Sequence, residues 1–68
     1  MGVTYKKLWK LLIDREMSKV ELREATGIAA STFSKMNKNE YISLDVLVKI
    51  CVALNCELND VVEVVRDD

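Results

Sequence analysis

The sequence predicts an all-α domain of five short helices, on three observations. Apolar residues recur three and four apart through most of the chain, as one buried helix face requires. Side chains that start helices precede several of these runs. Proline is absent, and only two glycines occur among 68 residues. A chain of this length forms one domain, residues 1–68, whose own core is marginal, because it buries only about 60% of its unfolded surface.

The first helix is expected from about Tyr5 to Arg15, with Thr4 as its N-cap. Leu8, Leu11 and Leu12, in step with Arg15, form its core stripe. Tyr5, Trp9 and Ile13 form a second stripe at intervals of four. Ser18 caps the second helix, and Glu21 three residues later completes a capping box. Met17 is placed to staple onto Leu22. That helix runs to Thr26 and Gly27, where glycine supplies the left-handed conformation of a sharp turn without steric cost. Ile28 points into the core from the turn. The third helix covers Ala30 to Asn37, with Phe33 and Met36 inward. Two helices joined by so short a turn form a helix-turn-helix unit, whose second helix can enter the DNA major groove.

A polar loop, residues 37–42, leads to Ser43, the N-cap of a fourth helix from Leu44 to Leu54. Its apolar face reads Leu44, Leu47, Val48, Cys51 and Leu54, with Lys49 exposed and Asn55 as left-handed C-cap. A fifth helix, capped by Asn59, is expected from Asp60 to Val65. Strand competes there, because Val61, Val62, Val64 and Val65 are β-branched.

Net charge is only −1, but it is unevenly spread. Residues 1–39 carry eight basic against four acidic side chains, a net of +4. Residues 40–68 carry two against seven, a net of −5. The helix-turn-helix half is therefore the basic one, which orients it toward a polyanion. There is no histidine, and Cys51 and Cys56 alone make a poor zinc site. They fit a reducing cytoplasm as small apolar fillers better than a disulfide across a helix end. No signal-peptide pattern and no apolar run near 20 residues is present, so a cytoplasmic location without membrane contact is expected. Without histidine, a Gly-rich phosphate loop or an acid–base pair in a cleft, an enzyme is not expected, nor a cofactor, metal or small-molecule ligand.

From Leu8 to Val62 the chain resembles the Cro/cI-type (lambda-repressor-like, XRE) helix-turn-helix domains, in particular a short stand-alone subgroup. The resemblance rests on Leu22, Gly27, Ile28, Phe33 and Met36, and on the run from Ser43 to Cys56. It implies a compact five-helix bundle and a bacterial or phage transcriptional regulator acting on double-stranded DNA. It implies that Ala29, Ala30, Ser31, Ser34, Lys35 and Lys38 face the groove and that Lys19, Thr32, Asn39 and Ser43 lie near phosphates. The chain departs from the family pattern in two places. Lys19 stands where glutamine is frequent, and Ala29 where serine or threonine is. The third helix carries no Arg, Gln or Asn before Asn37, although these are the usual bidentate base readers. A homodimer, at least on DNA, would double the readout. Tyr5, Trp9, Ile13, Val62 and Val65 offer the apolar surface for it, with packing against the last helix as the competing use of Trp9. The alternative is a helix-turn-helix fold kept as a protein-interaction module, such as an anti-repressor or a toxin-neutralising subunit.

Overall fold

A computed structural model describes residues 1–66. In chain order the elements are β1 (Gly2–Thr4), α1 (Lys6–Asp14), α2 (Lys19–Thr26), α3 (Ala30–Asn37), α4 (Leu44–Leu54), a 3-10 turn (Leu58–Asp60) and β2 (Glu63–Val65). Four helices and a two-stranded antiparallel sheet thus replace the expected five-helix bundle. The fifth helix is absent. Glu57, not Asn59, heads the 3-10 turn, its N–H donating to the Asp60 carboxylate at 3.0 Å. The valine-rich segment then extends and pairs with the N-terminus, Thr4 opposite Glu63, Val3 opposite Val64 and Gly2 opposite Val65. Branching at Cβ disfavours the helix, and a partner strand 60 residues away supplies the ladder that a local reading lacks.

The core consists of Tyr5, Leu8 and Leu12 from the α1 region, Leu22 from α2, Ile28 from the turn, Phe33 and Met36 from α3, Ile50 and Leu54 from α4, and Val61. The α4 face differs from expectation. Ile50 is fully buried with Val46 and Leu47 packed beside it, whereas Leu44 and Val48 are exposed. This helix is apolar nearly all round, so periodicity alone does not fix its rotation. Packing against α2 does. Lys49 is exposed as expected and sits 3.5 Å from Asp45 one turn earlier, a solvated pair of little energetic weight.

Every helix ends in a residue with positive φ: Glu16 (55°) after α1, Gly27 (72°) after α2, Asn39 (56°) after α3 and Asn55 (52°) after α4. The left-handed residue turns the chain sharply and returns N–H groups to the last helical carbonyls. Met17 N–H reaches Leu12 O at 2.9 Å and Cys56 N–H reaches Cys51 O at 3.0 Å in this way. Helix starts are less uniform. Ser18 and Glu21 form the expected reciprocal box at 3.0 Å in both directions. Ser43 Oγ accepts from Val46 N–H at 3.4 Å. The expected Thr4 cap is displaced by one residue. Tyr5 occupies the cap position of α1, while Thr4 Oγ1 accepts from Lys6 N–H at 3.3 Å.

Candidate nucleic-acid interface

The helix-turn-helix is built by few contacts. Leu22, Phe33 and Met36 anchor α2 and α3 in the core. Gly27 N–H closes on Arg23 O at 2.8 Å. Thr26 locks the turn from its side chain, donating to Leu22 O at 2.8 Å and accepting from Ile28 N–H at 3.4 Å. Ile28 drops into the core and directs the chain toward α3. Ala29 is extended at φ −65° and ψ 147°, the geometry of an N-cap, but has no side-chain oxygen to cap α3.

Burial of Phe33 and Met36 leaves the opposite face of α3 to solvent. Ala29, Ala30, Ser31, Ser34, Lys35 and Lys38 are all exposed. The Lys35 and Lys38 ammonium groups have no hydrogen-bond or ion-pair partner among the described residues. The predicted phosphate residues fall in three places. Thr32 and Ser43 line one cleft of about 290 Å3 together with Lys35, Tyr41, Ile42 and Val46, between α3 and the start of α4. Lys19 lies instead beside Asn37 at the far end of α3. Asn39 is engaged structurally, its Oδ1 accepting from Tyr5 N–H at 3.4 Å.

Tyr5 is 1% exposed and is a core residue rather than part of an exposed dimer surface. Its hydroxyl donates to Glu40 O at 2.6 Å, so the α1 region pins the loop that follows α3. Burial pushes the Tyr5 phenol above its usual value, with the Ile42 backbone N–H pulling weakly the other way. Trp9 is half-buried against the core, and its ring carries the Lys19 ammonium 4.1 Å from the centroid. Ile13 is 74% exposed, Val65 is exposed and Val62 is half-buried. Two contacts went unread in the sequence. The Arg15 guanidinium donates to Leu54 O, capping the carbonyl end of α4, and Lys7 Nζ donates to Asn59 O at 3.2 Å. Both join groups at least 39 residues apart, for which local spacing carries no signal.

Cys51 and Cys56 are both unbridged and half-buried. Burial raises the Cys56 thiol above its ordinary value, and the neighbouring Cys51 raises it further. A protonated thiol is a weak nucleophile and a weak ligand, in keeping with a packing role. No group of three or more potential metal-binding side chains and no helix long and apolar enough to cross a membrane occurs among the described residues.

A tight two-helix turn, a hydrophobic anchor beneath it and a small, polar, exposed outer face define a helix-turn-helix domain of the DNA-binding kind. The chain belongs to the Cro/C1-type HTH DNA-binding domain family, whose sequence pattern matches residues 7–67. It is also similar to a crystal structure of the transcriptional regulator VanUg (Form II), with a TM-score of 0.94 and 56% identity, over 97% of this chain and 88% of that one. No curated protein sequence matches it significantly.

Proposed function

We propose that this domain is a transcriptional regulator that lays α3 in the major groove of double-stranded DNA. The observation that carries the reading is the outer face of α3, where Ser31, Ser34 and Lys35 stand exposed directly after the Gly27 turn. Lys35 and the serines read base edges, and the methyl groups of Ala29 and Ala30 meet thymine. Thr32 and Ser43, which line one cleft with Lys35, seat one phosphate. Ser43 Oγ accepts from Val46 N–H and so keeps its own O–H to donate. Lys19 and Lys38 act through phosphates, and Asn39 contributes only its amide N–H groups there, since its oxygen serves Tyr5.

The active species is a two-fold dimer on half-sites about 34 Å apart. One copy of α3 presents few strong base readers, and pairing multiplies its discrimination. With Tyr5 buried and the Trp9 ring carrying Lys19, the pairing surface rests on Ile13 and Val65, with Val62 at its margin. Sedimentation with a palindromic duplex tests this, and a strict one-to-one complex at saturating protein refutes it.

Selection of random duplexes by the purified protein tests DNA recognition. Lys35→Ala should then weaken binding to the selected site by about 1–3 kcal/mol, with melting unchanged. Affinity untouched on every duplex would overturn the assignment. One observation favours the protein-interaction reading: Leu44, Val48 and Val52, four residues apart on α4, leave an exposed apolar ridge, with Val52 at 76% exposure. Salt separates the two readings. Phosphate contacts release counterions, so DNA affinity falls steeply with salt, whereas docking through an apolar ridge does not.

A further inference from the structure

Among the described residues, Lys19 is the one cation of the helix-turn-helix half held by two other helices. It opens α2. Its ammonium rests 4.1 Å from the Trp9 ring centroid on α1 and donates to Asn37 Oδ1 at 2.7 Å on α3. An exposed lysine ordinarily samples many rotamers and loses that freedom when it meets a phosphate. Here the ring face and the amide oxygen already select one position. The negative face of an indole attracts an ammonium without consuming a hydrogen-bond donor. Of three ammonium N–H groups, one goes to Asn37, which leaves others to donate. The Asn37 amide is polarised in turn. With its oxygen engaged, its NH2 offers only donors. With an ammonium as its one charged group and the Asn37 oxygen turned to it, the cluster presents mainly donors at the junction of α1, α2 and α3, and fits an oxygen of negative character.

We infer that Trp9 and Asn37 are positioning residues that hold Lys19 as a preset donor for one DNA phosphate at the start of α2. This role rests on the DNA-binding reading above. It assigns Trp9 to the DNA side of the domain and gives Asn37 a function through Lys19 rather than as a base reader. To make the bidentate contact to adenine that asparagine otherwise favours, Asn37 would have to share its oxygen between Lys19 and the base.

A double-mutant cycle tests the inference. Parent, Lys19→Gln, Trp9→Leu and the double variant are titrated with one duplex selected by the parent, across a salt series. Lys19→Gln should flatten the slope of log K against log salt by about 0.9. Trp9→Leu should keep the parent slope, since the charge remains, and weaken binding about two- to fivefold. In the Lys19→Gln background the same Trp9 change should cost nothing further. Asn37→Ala should repeat the pattern, and Trp9→Phe, which keeps an aromatic face, should restore part of the loss. In the free protein, Lys19→Gln should shift the emission of Trp9, the single tryptophan. Losses of equal size in both backgrounds, for Trp9 and Asn37 alike, would overturn the positioning role. They would show that the two residues act only through the fold. Parent binding that ignores salt would instead overturn the DNA reading itself.

Discussion

Gly27 offers the sharpest test of how the helix-turn-helix is held. Its φ is 72° and its ψ 13°, and a Cβ built there meets no atom within 4 Å. The two facts separate strain from collision. An L-residue in the left-handed region costs about 1–2 kcal/mol. Alanine returns about 0.4–1 kcal/mol by restricting the unfolded chain. With no clash to add, Gly27→Ala should destabilise by about 0–1.6 kcal/mol. Gly27→Asn should lose less, because asparagine tolerates this conformation, and Gly27→Val more, about 1–3 kcal/mol, because β-branched residues tolerate it least. In a domain of this size each kcal/mol moves the melting temperature by roughly 4–8 °C. Thermal and urea unfolding of the three variants should therefore rank Asn, Ala, Val in order of increasing loss. A valine variant that melts like the parent would refute the left-handed turn. An alanine loss as large as that of valine would show that something occupies the space beside Gly27.

Three further outcomes are expected. Glu16→Gly, at the left-handed residue that ends α1, should stabilise by about 0.5–1 kcal/mol, and a lower melting temperature would contradict that backbone. Ala29→Ser should add the missing oxygen to an N-cap already in extended geometry and raise stability by about 1 kcal/mol in urea unfolding. Tyr5→Phe should cost about 1 kcal/mol at neutral pH through the lost bond to Glu40 O. Because burial raises the folded phenol above its unfolded value near 10, the folded state holds that proton more tightly. Its stabilisation is complete below pH 10 and declines as pH rises through the folded value. Denaturation from pH 8 to 11 should show that decline in the parent and less of it in Tyr5→Phe.

Local chemistry was readable wherever the partner lies within a few residues. The Ser18–Glu21 box, the Gly27 turn, the Ser43 cap, the Asn55 terminator and the bounds of α3 all stand as the sequence predicts. Each depends on a side chain or a backbone conformation acting within a few residues of itself. The misreadings share the opposite cause. Residues 61–65 resemble a helix until β1 pairs with them, and β1 carries no pattern that identifies it alone. The rotation of α4 was ambiguous because Leu44, Val46, Leu47, Val48, Ile50 and Cys51 give it more apolar positions than one face holds. Left-handed Glu16 was invisible because glutamate carries no preference for that conformation. Within the candidate site, exposure of the α3 residues followed from the inward Phe33 and Met36. The Trp9–Lys19–Asn37 cluster did not, since it joins three helices at once.

The pairing of Gly2 with Val65 makes the backbone almost a ring. The two strands run antiparallel, so the chain enters and leaves at the same end of the ladder. A short peptide joining those ends would close a loop of roughly 60 residues without moving any helix. By the chain-entropy relation, removing that freedom from the unfolded state is worth about 4 kcal/mol, comparable with the whole stability of many small domains. The circle could then be reopened elsewhere, at the exposed residues between α3 and α4 for example, leaving the ladder to be closed by a covalent link instead of by hydrogen bonds alone.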